Sequence, residues 1–170
     1  MSKETFLIDS NSFMDSSNRY YSFDLAPGFW NQLTPHINSG RIVILDMVKT
    51  EVTNGNDELS DWMSKLNSPI KDHRENAIIK KYAEVLEFVR KNPCYQEAAL
   101  HEWAQSNIAG AWLIATAAVH GYTLITFEKS AQPNRNSPSK NAKIPDVAAA
   151  FDVKIDNLFY MMRQLGFKLN

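Results

Sequence analysis

Apolar residues fall along the chain in two patterns: short continuous runs, and longer stretches where they return every three or four positions. The short runs cover residues 5–8 (TFLI), 41–45 (RIVIL), 122–127 (YTLITF) and 153–155. A brief run of this kind predicts a strand buried on both faces. The stretches between them predict helices. One opens at Pro27, carries Phe29, Trp30, Leu33 and Ile37 on one face and closes at Gly40, with Pro35 expected to break or kink it. Another takes Asp46 as its N-cap, carries Met47, Val48 and Val52, and ends at Asn54 and Gly55. A short helix is expected over 59–66. A long one over 73–91 has the stripe Ile78, Tyr82, Val85, Leu86 and Val89 and stops at Pro93. Further helices are expected over 96–105, over 108–120 with Gly121 beyond its end, over 145–151, and over 158–165 with Gly166 as its stop. The segment DSNSFMDSSN after the first run reads as a loop leaving the strand, and 129–143 reads as a polar loop around Pro133 and Pro138.

Strands that alternate with helices imply a parallel sheet of about four to five strands, covered on both faces and joined by right-handed crossovers. No internal repeat interrupts this order. A length of 170 residues suits one domain spanning 1–170, with the helices at about 57–105 forming an insert between the second and third strands.

Composition narrows the function classes. With 44% hydrophobic and 22% charged residues the chain is an ordinary globule. A net charge of −1 and a pI near 6.4 give no global positive field, so contact with nucleic acid would need a local patch or a metal ion. Cys94 is the single cysteine, which excludes an internal disulfide; it reads as a buried, inert thiol, since no His or Lys flanks it closely. The histidines lack zinc-ligand spacing, and there is no glycine-rich phosphate loop and no nucleophile elbow. No apolar run is long enough for a membrane span or a signal peptide, so the expected location is the cytoplasm.

Four acids fall at the carboxyl ends of the expected strands, where open parallel sheets bind ligands. Asp9 ends the first strand, Glu51 lies about a turn into the helix after the second, Glu128 ends the third, and Asp146 starts the helix after the polar loop. Converging carboxylates repel one another, and a hard cation such as Mg²⁺ or Mn²⁺ resolves that conflict through oxygen ligands. Each acid also has a plainer reading. Asp9 suits a loop or cap residue, Asp146 a helix cap, Glu51 a solvated helix face, and Glu128 an ion pair with Lys129 or Lys49. The loop carries Lys129, Arg135, Lys140 and Lys143 and no acid, which suits a grip on a phosphate backbone or a merely solvated loop. Tyr20, Tyr21, Phe23, Phe29 and Trp30 cluster after the first strand; base stacking is open to them, and core packing or a partner interface is the favoured reading.

Three stretches, LIDSNSFM, VKTEV and WLIATAAVHGYTLITFE, together with the tail IPDVAAAFDVKIDNLFYMMRQLG, resemble PIN domains. The chain looks like a small bacterial PIN-like branch known as a domain of unknown function, and the resemblance covers nearly all of it. It implies a three-layer α/β/α sandwich with a central parallel sheet. It also implies a metal-dependent endoribonuclease, with RNA as substrate, often the toxin of a toxin–antitoxin pair held by a cognate antitoxin. Self-association is left open, and no membrane partner is expected. Asp9, Glu51, Glu128 and Asp146 match the family's metal-binding and catalytic acids; Ser10, Asn11 and Thr126 match polar positions lining such sites. One departure matters. Where the family has Asp-Pro before the Trp-Leu-Ile-Ala run, this chain has Gly110 and Ala111. One acid is missing, so the alternative is an inactive PIN fold that binds an antitoxin or RNA.

Overall fold

The computed structural model describes residues 3–169. Its strands are β1 (Phe6–Ile8), β2 (Ile42–Val43), β3 (Thr123–Ile125) and β4 (Ile155–Asp156). Its helices are α1 (Ser10–Asp15), α2 (Pro27–Asn38), α3 (Asp46–Thr53), α4 (Glu58–Ser64), α5 (Asn76–Lys91), α6 (Glu97–Trp103), α7 (Gly110–His120), α8 (Ile144–Ala148) and α9 (Leu158–Gln164). A π-helical turn, Ser16–Tyr20, continues α1, and a 3₁₀ turn, Ala149–Phe151, continues α8.

The strands form one parallel sheet in the order β2-β1-β3-β4, with helices flanking it. This is the mixed α/β class of three-layer α/β/α proteins, as the alternation of strands and helices predicts. Phe6 pairs with Ile42 on one side and with Thr123 on the other, and Ile8 with Ile125. Phe6, Leu7 and Ile8 are at most 1% exposed, so β1 is buried on both faces; each such side chain contributes roughly 1.5–3 kcal/mol by leaving water.

The chain divides into two compact units. The first contains the residues up to Asp72, Thr123–Phe127 and the residues from Asp156 onward; the second contains His73–Tyr122 and Glu128–Ile155. The first unit holds the sheet and an aromatic cluster in which Phe29 meets Tyr21, Trp30 and Phe167. In the second unit α5 packs on α7 and α6, and Tyr82 stacks on Trp112 with ring centroids 3.6 Å apart.

Three local expectations are corrected. Residues 10–20 are helical, not a loop. Ser, Asn and Asp disfavour helix interiors because their side chains compete for backbone partners. Here those side chains are used: Asp9 caps the start, Ser16 donates to the Ser12 carbonyl at 2.6 Å, and Phe13 is buried. Helix α2 runs unbroken through Pro35. The carbonyl that loses its donor belongs to exposed Asn31, which water can serve, while Phe29, Trp30, Leu33 and Ile37 hold the helix from its buried side. Asp46 is the first residue inside α3, and the cap position is Leu45; the Asp46 side chain accepts from the Met47 amide at 2.8 Å.

Candidate functional site

Strand order places the site. β1 runs first, β2 lies on one side of it and β3 on the other, so the chain changes direction of winding between β1 and β3. At such a switch point the loops leave the sheet to opposite sides and open a crevice beyond the carboxyl ends of the strands. Asp9 and Thr126 stand there, one residue beyond β1 and β3.

Asp9 is 9% exposed and caps α1. Its amide donates to the Ile125 carbonyl at 2.9 Å, extending the ladder by one bond. Its Oδ1 accepts from the Ser10 amide at 2.8 Å, and its Oδ2 accepts from the Thr126 hydroxyl at 2.8 Å. Asn11 ties the same corner: its Nδ2 donates to Thr126 Oγ1 at 3.2 Å and its Oδ1 accepts from the Phe127 amide at 3.2 Å. The Ser10 hydroxyl lies 3.5 Å from Asp9 Oδ1. The expected residues Asp9, Ser10, Asn11 and Thr126 are therefore brought together, with the carboxylate aimed by donors from two strand ends. A similar tie closes the other edge of the sheet, where Thr123 and Tyr160 donate to Glu4 at 2.6 and 2.9 Å. What sets Asp9 apart is its place at the switch point and at a helix start.

Glu51 lies exposed on α3, which packs against α1. It makes no side-chain hydrogen bond or ion pair among the described residues.

The remaining expected residues belong to the second unit. Glu128 accepts from the Ile144 amide at 2.8 Å, serving an orphan donor at the start of α8, and Lys143 approaches it at 3.6 Å. Asp146, in the first turn of α8, accepts from the Ser130 hydroxyl and from the Ala131 amide, the latter at 2.9 Å. Both acids organise the loop. Lys129, Arg135 and Lys140 are exposed on it. Gly110 opens α7, and a Cβ there would lie 3.2 Å from the Trp103 indole. A side chain at 110 would press on Trp103, which would have to give by a few tenths of an ångström.

One group escapes a reading of the sequence. A parallel bridge between Leu45 and Lys71, with Asp46 N donating to Lys71 O at 2.8 Å, carries the following residue Asp72 toward Asp46. One carboxylate oxygen of Asp72 lies within 4.8 Å of one of Asp46. A single bridge leaves no periodicity in the sequence, so only the fold reveals it. Among the described residues no helix is long and apolar enough to cross a membrane.

Residues 6–169 match the family model described as Domain of unknown function (DUF4411), and the chain belongs to that family. Neither the curated proteins nor the solved structures provide a match.

Proposed function

We propose that the chain is a metal-dependent endoribonuclease centred on Asp9. The observation that supports this best is a buried carboxylate at the β1/β3 switch point, held by a hydroxyl from β3 and an amide from α1. The donor atoms around it are hard oxygens from Asp9, Asn11, Thr126 and Ser10, the chemistry that suits Mg²⁺ or Mn²⁺, which bind through one or two carboxylates and retain waters. A bound divalent ion would supply a lowered water pKa and neutralise charge on a scissile phosphate.

The protein's own part is positional. The Thr126 hydroxyl and the Ser10 amide fix both oxygens of Asp9, so the carboxylate loses little freedom when it meets a ligand. Asn11 locks Thr126 by donating to it. Glu51, Glu128 and Asp146 enter as further metal ligands, and Lys129, Arg135, Lys140 and Lys143 as RNA contacts, on the resemblance to PIN domains. The same resemblance is the support for a toxin role and a cognate antitoxin partner.

Gly110 favours a second reading, an inactive PIN fold kept as an RNA- or antitoxin-binding module. The position that would carry another acid is crowded by Trp103, 3.2 Å from where a Cβ would stand. One assay separates the two. Purified protein is incubated with total RNA and Mn²⁺ or Mg²⁺, with and without EDTA, beside Asp9→Asn. The nuclease reading expects cleavage that EDTA and Asp9→Asn both abolish. Folded protein that leaves RNA intact, or cleavage indifferent to EDTA, overturns it in favour of the binding module.

A further inference from the structure

Tyr20 ends the π-helical turn after α1 and is 48% exposed although three rings touch it. Phe159 meets it edge-on at 5.3 Å, Phe127 at 5.6 Å and Tyr21 at 6.4 Å. Such a wide turn is a rare backbone form that is frequent at functional sites. Here it swings an aromatic ring to the surface of the first unit. Phe127 is the next residue after Thr126, and its amide is bonded to Asn11, so the ring cluster is continuous with the corner that holds Asp9.

Phe159 also lines a cleft of about 270 Å³ with Tyr21, Met162, Arg163, Phe167 and Leu169. Arg163 is exposed, in the last turn of α9, and makes no ion pair among the described residues. Its charge acts on the Tyr21 hydroxyl, opposing the rise that burial causes there. The cleft is smaller than the roughly 300 Å³ at which pockets for drug-sized ligands begin. Aromatic faces beside an unpaired cation match the chemistry of an unpaired nucleotide, whose base stacks while its phosphate meets the charge. A stable protein interface needs a much larger continuous surface. The other large exposed apolar residues, Leu25 and Ile79, do not line this cleft.

We infer that Tyr20, Phe127 and Phe159, with Arg163 at the cleft beside them, form a seat for an unpaired stretch of nucleic acid leading to Asp9. Tyr20 and Phe159 stack the bases and Arg163 meets a phosphate. The seat rests on the nuclease reading for its purpose, since it gives the Asp9 corner single-stranded substrate.

The test is binding without catalysis. Anisotropy of a short labelled single strand is followed in EDTA, with RNA and with DNA of the same sequence and with the RNA duplex. Tyr20→Ala is expected to weaken single-strand binding about 5- to 100-fold, the range that loss of one stacking ring brings. Arg163→Gln is expected to flatten the dependence of log K on log salt by about 0.7, the loss of one phosphate contact. The duplex should be indifferent to Tyr20→Ala. Tighter binding in one single-strand arm identifies the sugar. Both side chains are exposed, and a melting curve checks that each variant is folded. No binding by the parent chain, or Tyr20→Ala and Arg163→Gln binding like it, overturns the seat. Tyr20-dependent binding without metal-dependent cleavage would remove the nuclease reading and keep the seat; cleavage with unchanged variant binding would do the reverse.

Discussion

Asp9 and Asp146 both stand at the start of a helix, and their surroundings differ. Asp9 is nearly buried, and the hydroxyl that fixes it comes from Thr126, 117 residues away along the chain. Asp146 is half-buried and its partners, Ser130 and Ala131, lie 16 and 15 residues away in an exposed loop. The first carboxylate is placed by the sheet, which cannot shift without losing its ladder. The second is placed by a loop and moves as the loop moves. An acid of the first kind can hold a cation at a set point. An acid of the second kind closes a loop, and its removal should be felt there first.

The largest test of this contrast is Asp9→Asn. Asparagine caps a helix as well as aspartate does, so stability should change by less than about 1 kcal/mol. Metal-dependent cleavage of RNA should fall at least about 100-fold, because a metal ligand supplies several kcal/mol of charge stabilisation. Parallel loss of melting temperature and activity would make Asp9 a structural residue only, and the contrast would fail.

Thr126→Val comes next. It keeps the shape and removes the hydroxyl that donates to Asp9 Oδ2 in a buried corner. The expected cost is about 1–3 kcal/mol, read from a urea midpoint, since a buried acceptor loses its partner. Asp146→Asn in the second unit should cost about 0.5–1 kcal/mol by the same measurement, because water reaches its loop partners. Equal costs would erase the distinction between sheet-held and loop-held acids.

Gly110→Ala probes packing in the second unit. The added carbon meets Trp103 at 3.2 Å, so a destabilisation of about 1 kcal/mol is expected, with altered Trp fluorescence. Gly110→Asp should behave alike. A stable Gly110→Asp with stronger Mn²⁺ binding would show instead that the glycine replaces a metal ligand.

The smallest effect concerns an exposed charge of the second unit. Arg90 and Lys91 hold the Glu87 carboxyl at about 2, below its ordinary 4.5. Folding then favours the ionised form, so the contribution is complete above about pH 4.5 and fades as pH falls toward 2. The Glu87 side chain is 43% exposed, and solvent screens the pair. Glu87→Gln should leave the acid limb of the stability profile nearly unchanged, and salt should remove what difference remains. A clear, salt-resistant shift would mean that this surface pair is far stronger than its exposure allows.

Much of the fold was legible. The runs at 5–8 and 122–127 predict β1 and β3, and Gly121 and Gly166 both adopt the left-handed backbone that ends a helix. Asp9 was legible as the acid ending β1, and Thr126 and Asn11 as its neighbours through the resemblance. The helix over residues 10–20 was not, because its polar side chains disfavour helices until Asp9, Ser16 and Phe13 find their partners. Nor was Trp103 against Gly110, since a glycine at a helix start reads equally as a lost acid or as room for a neighbour.

The sequence alone determined where the first three strands lie, which face of the long helix α5 is apolar, and that an acid follows the first strand. Those depend on neighbours within a few residues, and local sterics and burial suffice to set them. Only the tertiary structure decided that β1 lies between β2 and β3, which turns the end of β1 into a switch point and brings Thr126 to Asp9. It also decided that Asp72 comes beside Asp46. Parallel strands cannot pair through a tight turn, so their order is fixed by crossovers and packing far along the chain, and no local pattern records it.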